Sequence, residues 1–346
     1  MYIRKLPLMR QFLCYVRRFT TLSIWCIFLF MNTKTQELTF GAMIVAVFGV
    51  LLLLNRQTGG MFEGFFMFIF PIPMVAFSAK YGWKDSLPVF ICTILISFLF
   101  GTFTGMFYAV GMSFVGMVYG SCIKSDRDMN RTLILVMILS AAIELLCTVA
   151  LATFAGLDLN ADIMAMQESM NTMLAQAGVD TSTGILSFDY LRRMYIITTG
   201  FVGAMEGLIV YYLSYAILKK LRYPIRKPQP LTNYYPSRIS GVIALVLVFV
   251  YAYTIAKPFS NAAVQNVLQS AGMCGVIYLI FFGYIALLMV CSVYLHLPRI
   301  LGMIISLFLT MSISYIPMLA GYLYISGSLH RALDDRMSEK TQNLSK

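Results

Sequence analysis

The sequence is poor in charged residues: Asp, Glu, Lys and Arg make up 12% of its 346 residues, whereas 59% are hydrophobic. Histidine is scarcer still, with only His296 and His330, and neither an HExxH nor a GxSxG arrangement occurs. This composition lies outside the range of soluble globular proteins and is typical of a polytopic membrane protein. Because the common catalytic motifs are missing, we expect the chain not to be an enzyme.

Signals for nucleotide, metal and nucleic-acid binding are missing as well. No GxxxxGK[ST] loop occurs, so any use of ATP would belong to a partner. The seven cysteines lie mostly inside apolar runs without CxxC spacing, which is typical of small buried side chains rather than of a disulfide framework or zinc site. The formal charge of +11 is distributed over short connections between apolar runs, where it sets membrane topology. We therefore expect no cofactor, no metal and no nucleic-acid partner.

Nine apolar segments predict an all-α, polytopic transmembrane helix bundle with about nine spans. They cover residues 38–54, 62–79, 87–100, 105–123, 132–155, 194–218, 239–256, 272–294 and 300–324. Lys and Arg concentrate in alternate connections, most strongly in 219–238, and this side is predicted to be cytoplasmic. The outer connection 156–193 contains apolar residues at helical spacing after Asn160, which predicts an amphipathic helix at the outer interface.

Composition changes along the chain predict five parts. Residues 1–37 form a basic leader, in which Met31 is the expected natural start and 1–30 an upstream extension or a basic interfacial anchor. Residues 38–218 hold six spans, and 239–324 hold three more. Between them, 219–238 is a basic, proline-rich linker that either sets topology or meets anionic lipids or a cytoplasmic partner. Residues 325–346 form a polar tail.

Glu144 and Glu206 each lie near the centre of a predicted span. At about 1.5 Å of rise per residue, both are expected near the midplane of a hydrocarbon core of about 30 Å. An ionisable group at that depth indicates a functional site, although a protonated glutamate used only for packing is the alternative. No Lys or Arg lies inside a span, which favours protonated carboxyls, a cationic ligand or a proton-coupled step. Tyr195, Thr198 and Thr199, near the outer end of the sixth span, could add hydrogen bonds.

Small residues predict where helices approach each other closely. Ala42, Ala46 and Gly49 follow the spacing i, i+4, i+7 and form one narrow face of the first span. Three glycine pairs with the same spacing of four occur at 101 and 105, 116 and 120, and 203 and 207. Such pairs are common in membrane helices and usually indicate packing between them.

The first part of the chain resembles a known class of transport proteins. After a polar leader come LTFGAMIVAVFGVLLLL, the outer loop NRQTGGMFEGF, a span with FPIPMVAF, and AKYGWKDSL. This order resembles the substrate-binding S components of energy-coupling-factor vitamin transporters. The resemblance implies that Ala42 and Ala46 dock a coupling-factor transmembrane subunit with its ATPases. It also implies that Arg56, Gly59, Gly60 and Glu63 lie in a loop that closes over the substrate.

A second resemblance spans the whole chain. The leader from Met31, the nine-span pattern and the ending MLAGYLYISGSLHRALDDR resemble the uncharacterised YybS-like family of bacterial membrane proteins. This resemblance implies a multi-pass protein of the bacterial plasma membrane. It assigns no function.

Two functions from different classes follow from these patterns. The first is binding or transport of a small molecule in a cavity among the first six spans, with contacts from Glu144, Glu206, Arg56, Glu63, Tyr195 and Thr199. The alternative is a non-transporting scaffold or regulatory protein that binds other proteins through its small-residue faces and the 219–238 linker.

Overall fold

The computed structural model describes residues 33–154, 159–176, 187–223, 225–228, 236–257, 259, 261–295, 298–313, 315–327, 329 and 331. The described residues form twelve α-helices and no strand. The helices are Thr33–Gln57 (α1), Glu63–Ile69 (α2), Pro71–Tyr81 (α3), Trp83–Phe100 (α4), Phe103–Lys124 (α5), Met129–Phe154 (α6), Leu159–Gln176 (α7), Phe188–Lys220 (α8), Arg238–Ala256 (α9), Ala262–Val293 (α10), Arg299–Ser312 (α11) and Tyr315–Ser326 (α12).

Several predictions concern residues outside the described ranges. They include the expected start at Met31, most of the leader 1–37, both histidines and most of the tail 325–346. Part of the linker 219–238, namely 224 and 229–235, also lies outside them.

Eight segments in the described part are long and apolar enough to cross a membrane, and α2 and α3 together make one of them. A ninth results if α11 and α12 count as one span, which is bent by 112° at a short break. The all-α fold class with about nine spans is therefore confirmed, and the protein is a multi-pass membrane protein in contact with lipid. Pro317 gives a reason for the break, because it has no N–H to continue the helix from the carbonyl of Ile313.

The connections that precede the predicted spans 194–218 and 272–294 are partly helical. Helix α8 begins at Phe188 rather than near 194, so Arg192 and Arg193 belong to its first turns. Helix α10 begins at Ala262, and the side chain of Asn261 caps it by accepting a hydrogen bond from the N–H of Ala263. The predicted helix after Asn160 is present as α7, and its Ile163 is buried.

The chain divides into two compact units. Unit 1 consists of Met1–Ile143 and Glu206–Ile225, and unit 2 consists of Glu144–Met205 and Arg226–Lys346. The predicted organisation, with six spans in 38–218 and three in 239–324, stays a prediction.

In unit 1, α3 packs closely against α5 through two glycines. A Cβ added at Gly116 would lie 2.4 Å from the carbonyl oxygen of Pro71, and one at Gly120 would lie 2.5 Å from that of Val75. Beside them the hydroxyl of Ser78 donates a hydrogen bond of 2.7 Å to the carbonyl of Met117. The 116 and 120 pair therefore serves packing inside the unit, as expected for small residues four apart.

We expect Gly120→Ala to lower the stability of unit 1. The added methyl group would meet the backbone of α3, which cannot move aside as a flexible side chain can, so we expect a cost of about 1–3 kcal/mol. Gly64→Ala is the matched control, because nothing lies within 4 Å of its Cβ position. Thermal unfolding of the purified variants in detergent measures the effect, and equal melting temperatures for the two variants would contradict this packing.

Unit 2 contains a glycine-rich contact of the same kind between α10 and α12. A Cβ at Gly283 would lie 1.7 Å from the carbonyl oxygen of Pro317, and one at Gly321 would lie 2.1 Å from that of Leu279. The core beside this contact includes the fully buried Tyr324. The two backbones therefore pack directly against each other at positions where only hydrogen fits.

Candidate functional site

The short turn between α1 and α2 brings Glu63 back towards the end of α1. Gly59 and Gly60 have φ angles of 65° and 81°, a region in which glycine is favoured. The N–H of Gly60 donates to the carbonyl of Asn55 at 2.9 Å, and the N–H of Glu63 donates to that of Gly60 at 3.0 Å. The two glycines thus allow the chain to reverse within a few residues.

Four residues, Asn55, Glu63, Thr102 and Gly105, converge at this end of unit 1, and we call them the Asn55 cluster. The amide of Asn55 donates to the hydroxyl oxygen of Thr102 at 3.4 Å. That oxygen also caps α5 by accepting from the N–H of Gly105 at 3.1 Å. A Cβ at Gly105 would lie 3.1 Å from Nδ2 of Asn55 and 3.2 Å from Oε1 of Glu63. Side chains from α1, α2 and the start of α5 therefore surround one glycine.

The cluster contains buried acceptors that lack donors. Asn55 is fully buried, and its Oδ1 makes no hydrogen bond within the described part of the chain. Oε1 of Glu63 is likewise shielded from solvent without a hydrogen bond there. A buried acceptor without a donor costs about 1–3 kcal/mol, so the arrangement suits a group that brings N–H or O–H donors. The carboxylate also lies at the positive end of α5, where a negative charge is favoured.

The residues predicted in the loop over the substrate do not all belong to this cluster. Glu63 belongs to the cluster, whereas Arg56 is exposed. Asn55, Thr102 and Gly105 were not predicted as site residues. Two signals were available in the sequence: an amide at the end of an apolar run, and a threonine in GTFTG at the start of the next helix.

Both intramembrane glutamates are buried at 7% exposure, Glu144 on α6 in unit 2 and Glu206 on α8 in unit 1. The carbonyl of Glu144 accepts a hydrogen bond of 2.9 Å from the hydroxyl of Thr148. Next to Glu206, the Cβ position of Gly207 lies 2.8 Å from the hydroxyl oxygen of the fully buried Ser140. Burial agrees with the expectation that a carboxylate in a span faces protein. A role for either glutamate in binding stays a prediction.

Tyr195 and Thr199 lie on α8 in unit 2, where Tyr195 is 37% exposed and Thr199 is half-buried. A cavity of about 150 Å³ lies beside them on the helix, and its lining includes the third predicted residue, Thr198, together with Met194. At this cavity the hydroxyls of Tyr190 and Tyr251 share a hydrogen bond of 2.6 Å. The predicted contacts of Tyr195 and Thr199 with a ligand stay predictions.

Arg193, one turn from this cavity on α8, is held by two neutral amides of α10. Its guanidinium donates to Oδ1 of Asn266 at 2.6 Å and to Oε1 of Gln269 at 2.8 Å. These bonds fix the first turns of α8 against α10.

The small-residue face of α1 is not covered by the described residues of unit 1, which begin at 33. Ala42 and Ala46 are exposed and Gly49 is half-buried, while the opposite face buries Phe48 and Leu52. The small residues line an open groove of about 800 Å³ whose other wall is α4. The face is therefore accessible from the side of the molecule that faces lipid.

The chain was compared with protein-family models, curated proteins and solved structures. A family model described as Predicted membrane protein (DUF2232) matches residues 46–326, which include the Asn55 cluster, both buried glutamates and the second half of α1 from Ala46 onward. No curated protein and no solved structure matches the chain. The likeness to S components and the YybS-like assignment stay predictions beside this match.

Proposed function

We propose that this chain, which belongs to the DUF2232 family of predicted membrane proteins, binds a small molecule for transport across the membrane. The Asn55 cluster is the observation that carries the proposal. It combines a fully buried amide, a carboxylate and a capped helix start, all packed closely around Gly105, where a side chain would not fit. In this proposal the protein lies in a bacterial plasma membrane and performs no catalytic step of its own.

The chemistry of the cluster selects the class of ligand. Oδ1 of Asn55 and Oε1 of Glu63 are both acceptors, and neither has a donor in the described residues. A neutral or cationic molecule with N–H donors satisfies both oxygens at once, and the negative charge of Glu63 favours the cation. An anion would face a carboxylate at short range. We therefore propose an amine, amidine or amide as the recognised group.

The turn with Gly59 and Gly60 supports entry of the small molecule from this end of unit 1. Its positive φ angles concentrate the chain reversal in two residues, so a small backbone rearrangement there displaces Glu63. We propose that the turn covers the bound molecule. In this proposal Glu144 and Glu206 each meet a cation or exchange a proton within their own unit, as a buried carboxylate in a span can do.

The proposal predicts that ligand retention depends on Asn55 and Glu63. The protein is purified from native membranes, and molecules released on denaturation are identified by mass spectrometry. We expect one donor-bearing molecule in the wild type and at least a tenfold loss in Glu63→Gln and in Asn55→Leu. Glu168→Gln, at an exposed position of α7, is the control and should retain it. If the cluster variants melt like the wild type and release the same molecules, the proposal is wrong.

The open groove of α1 supports a second candidate, a protein that docks a transmembrane helix of a partner. Its accessible alanines allow close approach of a second backbone. A coupling-factor transmembrane subunit with its ATPases is the proposed partner, because the resemblance to S components implies it.

We expect Ala42→Leu/Ala46→Leu to remove any protein that docks in the groove, since the larger side chains fill it. Met43→Leu/Val47→Leu changes the same number of residues on the exposed surface of α1 outside the groove lining. Partners that co-purify with the wild type are quantified by mass spectrometry. Equal recovery with both double variants would exclude docking at this groove.

A further inference from the structure

A second pocket in unit 1 lies where α5 is followed by α6, at the end of the spans predicted to be cytoplasmic. Its volume is about 340 Å³, and its lining includes two arginines, Arg127 and Arg131. Helix α5 ends at Lys124, and a turn with Asp126 at φ 49° leads to the start of α6 at Met129. The pocket thus lies at the membrane surface predicted to be richest in basic residues.

The two guanidinium groups at this pocket are not neutralised within the described part of the chain. Both arginines are exposed, and neither forms an ion pair with a carboxylate described in the structure. Asp128 also lines the pocket, but its Oδ1 accepts from the N–H of Asn130 at 3.2 Å, at the start of α6. Lys124, Arg127 and Arg131 carry three positive charges at this end of the unit, against the two carboxylates of Asp126 and Asp128, so the mouth of the pocket keeps a small net positive charge.

The base of the pocket is closed, and one side continues into apolar surface. Thr132 is 2% exposed and donates to the carbonyl of Asp128 at 3.0 Å, and Cys122 is also buried. Beyond them, Leu135 and Ile138 of α6 are exposed. A positive mouth next to an exposed apolar helix face matches an amphiphile with an anionic head and acyl chains.

We propose that this pocket binds the phosphate group of an anionic phospholipid. Arg127 and Arg131 donate to the phosphate oxygens, for which the planar guanidinium is well suited. The acyl chains lie along the apolar face of α6 that includes Leu135 and Ile138. This inference is independent of the proposed function, because it rests on the opposite end of α5 from the Asn55 cluster.

Lipid retention tests the proposal. Wild type and Arg127→Gln/Arg131→Gln are reconstituted with equal amounts of phosphatidylglycerol and phosphatidylcholine, and retained lipids are counted by native mass spectrometry. We expect at least a tenfold preference for phosphatidylglycerol in the wild type and at least a fivefold loss of it in the variant. Lys219→Gln/Lys220→Gln removes the same charge from the exposed end of α8 and should change retention less than twofold. Equal losses in both double variants would overturn the assignment of the lipid to this pocket, because they would indicate that basic residues attract anionic lipid without a specific site.

Cys122 lines the pocket and is 5% exposed, so its slow modification gives a readout at the pocket itself. It is followed by mass spectrometry of the peptide that contains Cys122, because Cys92 and Cys274 are exposed and also react. We expect phosphatidylglycerol to slow the reaction of this thiol with methyl methanethiosulfonate at least threefold in the wild type. The rate in Arg127→Gln/Arg131→Gln should not respond, and Arg127→Gln alone and Arg131→Gln alone replace it if the double variant does not fold, each with a smaller response than the wild type. Inorganic phosphate is the second arm: equal protection by phosphate alone would show a free-anion site and overturn the lipid assignment. No protection by either probe would overturn the site altogether.

Discussion

Gly283→Ala is expected to destabilise unit 2 strongly by forcing α10 and α12 apart. The new methyl carbon would lie 1.7 Å from the carbonyl oxygen of Pro317, far inside van der Waals contact. The obstacle is backbone, and the two helices also approach at Gly321, where a Cβ would lie 2.1 Å from the carbonyl oxygen of Leu279. Neither helix can shift without opening the core that contains Tyr324 and Ile325.

The expected cost is about 3 kcal/mol or more, at the upper end of what overpacking causes. For a unit of this size it corresponds to a fall in melting temperature of roughly 6–12 °C. Gly200→Ala is the matched control within unit 2, since its Cβ would meet only Leu145, at an ordinary contact distance of 3.6 Å. Both variants are compared by monodisperse yield in detergent and by thermal unfolding. Similar behaviour of the two would contradict the close packing of α10 and α12.

Gly105→Ala is expected to abolish ligand retention at the Asn55 cluster with a smaller cost in stability. Its Cβ would lie 2.6 Å from the hydroxyl oxygen of Thr102, and it would also approach the side chains of Asn55 and Glu63. Thr102 must move and lose its capping bond, which costs about 1 kcal/mol. The methyl group then occupies the space between the amide and the carboxylate, so we expect at least a tenfold loss of the retained molecule.

Gly64→Ala separates the two effects of that substitution. It lies on α2 next to Glu63, and its Cβ position has no neighbour within 4 Å. We expect it to retain the molecule at the wild-type level. Mass spectrometry of released molecules, together with a melting curve for each variant, gives both quantities. Wild-type retention by Gly105→Ala would show that the molecule binds elsewhere.

Hydropathy and length were sufficient to predict the fold class, because a span must be long and apolar whatever it packs against. They were less informative about helix ends. Helix α10 begins at Ala262, ten residues before its predicted start at 272, because Asn261 caps it there. The last predicted span is broken before Pro317. Burial of Glu144 and Glu206 was expected from the cost of a charge in lipid, and it is observed.

Asn55 and Thr102 each gave a local signal in the sequence, but their meeting in the Asn55 cluster could not be predicted. Asn55 and Thr102 are separated by 47 residues, and no local periodicity relates them. The same limit applies to Gly283, whose importance depends on Pro317 in another helix. The small-residue spacing of Ala42, Ala46 and Gly49 indicated a face for close approach, but it could not show that the described residues of unit 1 leave this face open.

The most direct test of the account is an electron cryo-microscopy structure of the protein, purified from native membranes into lipid nanodiscs. We predict density that is neither protein nor lipid within hydrogen-bonding distance of Oδ1 of Asn55 and Oε1 of Glu63. The same density should be lost in Glu63→Gln. A cluster in which Asn55 and Glu63 bind only each other or water, in wild type and variant alike, would contradict the account.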